Sequence, residues 1–298
     1  MKKCVIVLLL LGASLFVHAQ TPVQTPDLSQ VTQVAPAYFG PNAFPVPDVP
    51  EARLTGEFRA ELSGDLFWGQ GVPFADDLTY GPRFMVQLPL WTKRAALTVW
   101  MPIVEWWSYS PAIAARRRLT DFPDGGKGID SGDVYVSTDF HVLTEKGWRP
   151  DILIRAVLKT ASGNTYGQAR YYDAPGYFFD ASIGKSLYLN GFLKELRLVV
   201  SGGFLCWQTD RGRQNDAWQY GVLGIVDTRA FRLSAQLAGY SGWEGDGDRP
   251  LTVKGVVEVP IGAFAPFAAF EYGLHDYPFS HLRAGVKYRL KKFGDSRK

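Results

Sequence analysis

Few side chains in this sequence suit covalent or acid–base chemistry. Past residue 19 there are three histidines, His141, His275 and His281, and one cysteine, Cys206. A hydrolase needs a nucleophile, a base within hydrogen-bond reach and an orienting group. Ser280 and His281 are neighbours, and neighbours on a strand point to opposite faces. His275, Asp276 and His281 invite a metal site, but their spacing is unspecific. GxSxG, HExxH and phosphate-loop motifs are absent from the sequence. The expectation is a protein without catalysis, cofactor or metal.

The charged residues offer a different chemistry, that of an enclosed field. Residues 132–143 read GDVYVSTDFHVL. Taken alternately, Asp133, Tyr135, Ser137, Asp139 and His141 interleave with Val134, Val136, Thr138, Phe140 and Val142. A strand turns these two sets to opposite faces. The same happens at 53–66, where Arg53, Thr55, Glu57, Arg59, Glu61, Ser63 and Asp65 alternate with Leu54, Gly56, Phe58, Ala60, Leu62, Gly64 and Leu66. It recurs at 282–290, where Arg283, Gly285, Lys287 and Arg289 alternate with Leu282, Ala284, Val286, Tyr288 and Leu290. A small soluble core could not bury so many charges without a large desolvation cost. In a membrane barrel the apolar set meets lipid and the polar set meets the lumen. The predicted lumen charges are Glu57, Arg59, Glu61, Asp65, Arg83, Asp133, Asp139, Arg155, Lys159, Lys254, Glu258, Glu271, Arg283 and Lys287. Asp180, Arg197, Arg232 and Arg289 fall in the same phase.

The elements that must position these charges are about twelve strands. They are expected near 52–68, 78–91, 94–107, 132–144, 148–161, 176–189, 193–209, 217–228, 229–243, 250–260, 264–275 and 280–291. Long links alternate with tight turns, the layout of an up-and-down antiparallel transmembrane barrel. An even strand count puts both termini in the periplasm. No apolar run past residue 50 is long enough for a helical span. Aromatics cluster near both strand ends, as two membrane interfaces require. Trp68, Trp106, Trp107, Tyr109, Trp207, Trp218, Tyr240, Trp243, Tyr277 and Phe279 mark one belt. Trp91, Trp148, Tyr188, Phe192, Phe264, Tyr288 and Phe293 mark the other.

The chain opens MKKCVIVLLLLGASLFVHAQ, a basic start and an apolar run that read as a signal peptide over 1–19. With Cys4 removed, Cys206 has no partner for an intramolecular disulfide. Residues 20–50 are rich in Pro and Gln and resist both helix and ladder. They read as a periplasmic arm, with a plug or a strap docking another outer-membrane or periplasmic protein through Tyr38, Phe39 and Phe44 as the alternative. The barrel is expected over 51–298. With 32 Lys and Arg against 29 Asp and Glu, the balance offers no basic stripe for nucleic acid. The location implied is the outer membrane of a Gram-negative bacterium. There Arg116, Arg117 and Arg118 of the longest loop read equally as contacts to lipopolysaccharide phosphates or as solvated loop charges.

The segment 128–163 resembles the outer-membrane transporter family named for the meta-pathway of phenol degradation. Gly132-Asp133, Glu145-Lys146-Gly147, Trp148-Arg149-Pro150, Lys159 and Gly163 carry the resemblance. Ala161-Ser162 stands where the family's proline would be, and the chain ends past its last strand in KKFGDSRK. The resemblance implies uptake of small hydrophobic or aromatic compounds. From the lumen residues themselves two readings stand: a narrow channel whose mixed field selects solutes, or a braced, non-conducting barrel serving a larger assembly.

Overall fold

Alternation of this kind commits each segment to a strand with one lipid-compatible face, and the pairing follows. The computed structural model describes residues 39–90, 93–119, 122–164, 175–208, 214–243, 245 and 247–290. The predicted signal peptide, residues 20–38 of the arm, Trp91 and Phe293 lie outside that set. The strands are β1 (Phe58–Gly69), β2 (Asp77–Pro89), β3 (Ala95–Pro102), β4 (Glu105–Tyr109), β5 (Gly126–Asp130), β6 (Tyr135–Leu143), β7 (Asp151–Lys159) and β8 (Gly176–Tyr188). They continue with β9 (Leu193–Gln208), β10 (Gln214–Thr228), β11 (Arg232–Gly242), β12 (Leu251–Glu258), β13 (Phe264–His275) and β14 (Phe279–Leu290). One short helix, α1 (Pro111–Arg116), lies in the longest loop. No helix among the described residues is long and apolar enough to cross a membrane.

Twelve of these strands form one closed antiparallel wall. β14 pairs with β1 from Phe58↔Leu290 to Gly69↔Phe279, and β1 pairs with β2, so no edge is left. Closure matters because lipid cannot satisfy an open ladder. β1 begins and β14 ends on the short-turn side, as an even count requires.

One expected strand, 94–107, is broken in two, and the expected 108–131 link adds a further strand, β5. β2 pairs with β3 through Arg83–Pro89, then with β4 through Asp77–Tyr80. Between them Pro102 and Pro82 leave the ladder short of donors. The Ile103 amide donates to the Pro82 carbonyl at 2.8 Å, and the Gly132 amide to the Pro102 carbonyl at 3.2 Å. β5 pairs with β4 above this break and β6 with β3 below it, so the 94–107 and 132–144 strands gain a hairpin extension into the outer loops.

The faces are as the alternation requires. Leu62, Phe140, Leu198, Val222, Leu237, Val257, Leu282 and Val286 point outward and are exposed. Trp148, Tyr188, Phe192 and Phe264 crown the short-turn end, and Trp218 and Trp243 the other. Glu61, Ser63 and Asp65 on β1 point in and are buried, as are Tyr135, Ser137, Asp139 and His141 on β6. Six residues of the predicted outer aromatic belt are not in a belt. Trp107, Tyr109, Trp207, Tyr240, Tyr277 and Phe279 are buried, turned toward the barrel axis. Their reason for doing so lies in the segment ahead of β1.

Candidate functional site: a plugged and charged lumen

The described part of the Pro-rich segment is inside the barrel rather than a free arm. Phe39, Ala43, Phe44, Val46, Val49 and Ala52 are buried in a core shared with Leu153, Phe178, Val199, Leu205, Leu223 and Ile225 of the wall. Proline at this density gives an extended chain with few backbone donors, and a lumen offers side chains rather than a ladder. Phe39 and Phe44 meet edge to face at the long-loop end, ring centroids 5.2 Å apart. There Tyr240 donates to the Phe44 carbonyl at 3.3 Å and Tyr277 to the Pro41 carbonyl at 3.5 Å. Those aromatics cap the plug. At the other end Ala52 takes a positive φ of 61°, turning the chain toward β1. The plug therefore runs from the long-loop end at Phe39 to the short-turn end, and the barrel proper begins near residue 58 rather than 51.

The wall has recesses cut for it. A Cβ on Gly221 of β10 would collide with the Val49 side chain, and one on Gly184 of β8 would collide with the Arg197 guanidinium, with the Ala52 Cβ 3.0 Å away. Polar contacts follow the same path. Asp48 accepts from Lys254 Nζ at 2.6 Å and Gln236 Nε2 at 2.8 Å. Its carbonyl accepts from Arg155 at 2.8 Å. The Glu51 carbonyl accepts from Arg197 Nε at 3.0 Å, and its carboxylate pairs with Arg232 at 2.6 Å. Arg53 pairs with Glu195 at 2.6 Å. Arg53 alone of these fell in a lumen-facing set from the sequence; Asp48 and Glu51 did not. Nothing in their spacing carries a period, so only the wall they meet reveals them.

Four predicted lumen charges, Arg59, Arg83, Arg155 and Lys254, bond residues of this plug, and most of the others pair with groups of the wall. Asp65 is the hub of the outer half. It takes Arg283 at 2.6 Å, Arg83 at 2.8 Å and His281 at 3.0 Å. His281 also contacts Glu271 at 3.3 Å, and Glu271 lies 3.7 Å from Lys254. Both ring nitrogens of His281 thus face carboxylates, so it is a lumen residue rather than an interface histidine. His141 is likewise inside, 2.8 Å from Asp151. Arg155 pairs with Asp180 at 2.6 Å, and Asp139 accepts from Ser137 at 2.7 Å. Toward the short turns, Arg197 bridges Asp151 at 2.8 Å and Glu145 at 3.2 Å. Lys287 and Arg289 both pair with Glu258.

Several placements differ from expectation. Across the β1–β14 seam Arg283 stands opposite Asp65, and Arg59 opposite Arg289. Lys287 stands opposite Glu61 but bonds Glu258, because the pleat lets it reach along the wall to β12. Glu57 precedes β1, outside that ladder. Asp133 and Lys159 form a fully buried pair at the outer end of β6 and β7, where Asp133 also takes the amides of Ser162 and Gly163 at 2.8 and 2.7 Å. That pair anchors a loop and is not a pore charge. Of the three loop arginines, Arg116 and Arg118 are exposed. Arg117 is buried, ion-paired to Asp77 and 4.6 Å over the Phe279 ring, so it cannot meet lipopolysaccharide. Burial lowers its pKa from the ordinary guanidinium value while the Asp77 carboxylate opposes that shift.

Space remains beside the plug. A cavity of about 330 Å³ runs between it and β1, β2, β3, β6 and β7. One side is aromatic, with Phe67, Trp100, Tyr135 and Phe178. The other is charged, with Asp48, Arg83, Lys254 and Arg283. A second void of about 220 Å³ lies on the opposite side of the plug against Gln236 and Arg232. Among the described residues no group of three or more His, Cys, Asp or Glu is arranged to hold a metal.

A closed, lipid-faced, twelve-stranded wall with a polar lumen defines a transmembrane β-barrel of the outer-membrane class. No family model matches the chain, and no curated protein matches it. Solved structures do. An outer-membrane channel from Pseudomonas putida F1 superposes with a TM-score of 0.54 at 9% identity, over 84% of this chain and 97% of that one. The KdgM and NanC porins superpose at 0.48, with 8% and 11% identity, over 78% and 77% of this chain and 99% and 100% of theirs. The first likeness supports the fold alone, and the other two are too distant to argue from.

Proposed function

We propose that the protein is a narrow outer-membrane channel for small solutes, shut by residues 39–55 in the state described here. The observation that supports this is the cavity beside the plug. A lumen built only to brace a wall has no need of a polar and aromatic cavity. The plug is also held for release. Among the described residues, no backbone hydrogen bond ties 45–55 to a strand. Its anchors are side-chain contacts, which can exchange with water or solute. The aromatic side suits the small aromatic compounds implied by the family resemblance. No catalytic role is assigned, since His281 has both nitrogens committed to Asp65 and Glu271 and none left to activate a hydroxyl.

Reconstitution in planar bilayers tests the reading. Discrete conductance steps are expected, and they should change in size or selectivity in Arg283→Gln. A non-conducting barrel serving a larger assembly is the second reading, favoured by how closely Gly221 and Gly184 fit the plug. Silence in the bilayer, with another outer-membrane protein co-purifying through residues 20–50, would establish it instead.

A further inference from the structure

We infer that the plug is a tethered carboxylate ligand, and that the lumen site it fills recognises small acidic solutes. This deepens the channel reading but rests on the contacts between plug and wall. Between Asp48 and Glu51 the wall presents mostly donors: Arg155, Arg197, Arg232, Gln236 and Lys254. The plug answers with two carboxylates and two carbonyls. The one reversed contact there is the Val49 amide to Gln236 Oε1 at 3.3 Å.

Such a wall is costly to leave empty. Lys254 and Arg197 are buried, and their hydrogen-bonding demand does not vanish when the plug moves. Lys254 keeps only Glu271, at 3.7 Å, once Asp48 is gone. Arg232 keeps Asp227 at 3.3 Å once Glu51 is gone. Two cationic positions then open onto connected lumen space, since both voids beside the plug are lined by Asp48, Glu51 and Lys254. Three residue steps of extended chain lead from Asp48 to Glu51, roughly 10 Å at a strand-like rise. A flexible dicarboxylate, or two monocarboxylates, would satisfy both positions. A neutral solute would leave each cation with only its wall carboxylate, Glu271 or Asp227. A cation would meet Lys254 and Arg232 directly. The site thus distinguishes solutes by charge, and the plug's own acids hold it closed at high effective concentration. A solute binds only the unplugged fraction, so its apparent affinity is reduced by that fraction.

The test uses the full chain in detergent and adipate as probe, with uncharged adipamide as control. Isothermal titration should show adipate binding at least ten times more tightly to Asp48→Asn/Glu51→Gln than to the unaltered protein. Adipamide should show no gain. Adding Lys254→Gln and Arg232→Gln to the double variant should abolish the gain. Equal adipate affinity in the double variant and the unaltered protein overturns the inference, as does an equal gain for adipamide. The heat shift on a gel reports folding of each variant. If the double variant fails that check, Asp48→Asn alone should show a smaller gain through Lys254 and Gln236, and no gain there overturns the inference too. Bilayer silence with adipate binding intact would sink the channel and leave this site standing. Conduction without adipate binding would do the reverse.

Discussion

Gly221→Val should unplug the barrel without disturbing its wall. Gly221 sits on β10 between Ser201 and Ala238 in the ladder and faces the lumen. A side chain there runs into the methyl of Val49, with the Leu237 carbonyl at 3.2 Å and the Ala238 Cβ at 3.3 Å behind it. The wall cannot yield, because both neighbours of β10 are locked by long antiparallel ladders. The plug can, because nothing but side chains hold it. Burying a valine contributes about 1.5–3 kcal/mol, and that contribution from Val49 is lost when it is expelled. Taking about 2 kcal/mol, the unplugged fraction should rise roughly 30-fold at 1.4 kcal/mol per factor of ten. Single-channel recording should show that rise as open probability, and protease should reach residues 39–55 in the solubilised protein. Gly224→Val, on the same strand but facing lipid with nothing nearer than 3.9 Å, is the control and should change neither. A Gly221→Val protein that stays protected and closed, with its heat shift intact, would refute the idea that these recesses hold the plug.

Other outcomes follow from the placements above. Val286→Lys puts a charge on the lipid face opposite Leu62 and should cost about 2–4 kcal/mol if the site is at the bilayer midplane, read as lost heat-modifiable assembly. Its neighbour Gly285 is no easy lumen control, since a Cβ there lies 2.6 Å from the Ser63 Cβ, so Gly285→Ala should also destabilise, by overpacking rather than by desolvation. Lys159→Met leaves Asp133 buried without its cation and should cost about 3–5 kcal/mol, measurable by urea unfolding in detergent. Arg117→Ala should do similar harm to the outer loops through Asp77, whereas Arg116→Ala and Arg118→Ala should be near neutral in the same assay.

Period two was enough to determine the wall. Asp139 inward and Phe140 outward follow from residue order alone, because a strand has two faces and only one of them tolerates lipid. Strand number, outward faces and most of the lumen charges follow from the same rule. Its failures are equally physical. Alternation says which face a side chain takes but not which partner it reaches, so Lys287 stands opposite Glu61 while Glu258 holds it. It also cannot tell an interface aromatic from a capping one, so Trp107, Tyr109, Trp207, Tyr240, Tyr277 and Phe279 read as a belt until Phe39 and Phe44 were seen beneath them. Arg117 looked like its two neighbours because a helical turn hides one residue of three, and sequence does not show which. The plug stood only as an alternative to a free arm for a plainer reason. A proline-rich chain has no period of its own, and its place is set by the recess at Gly221 and by donors on six different strands. Those exist only once the barrel has closed around them.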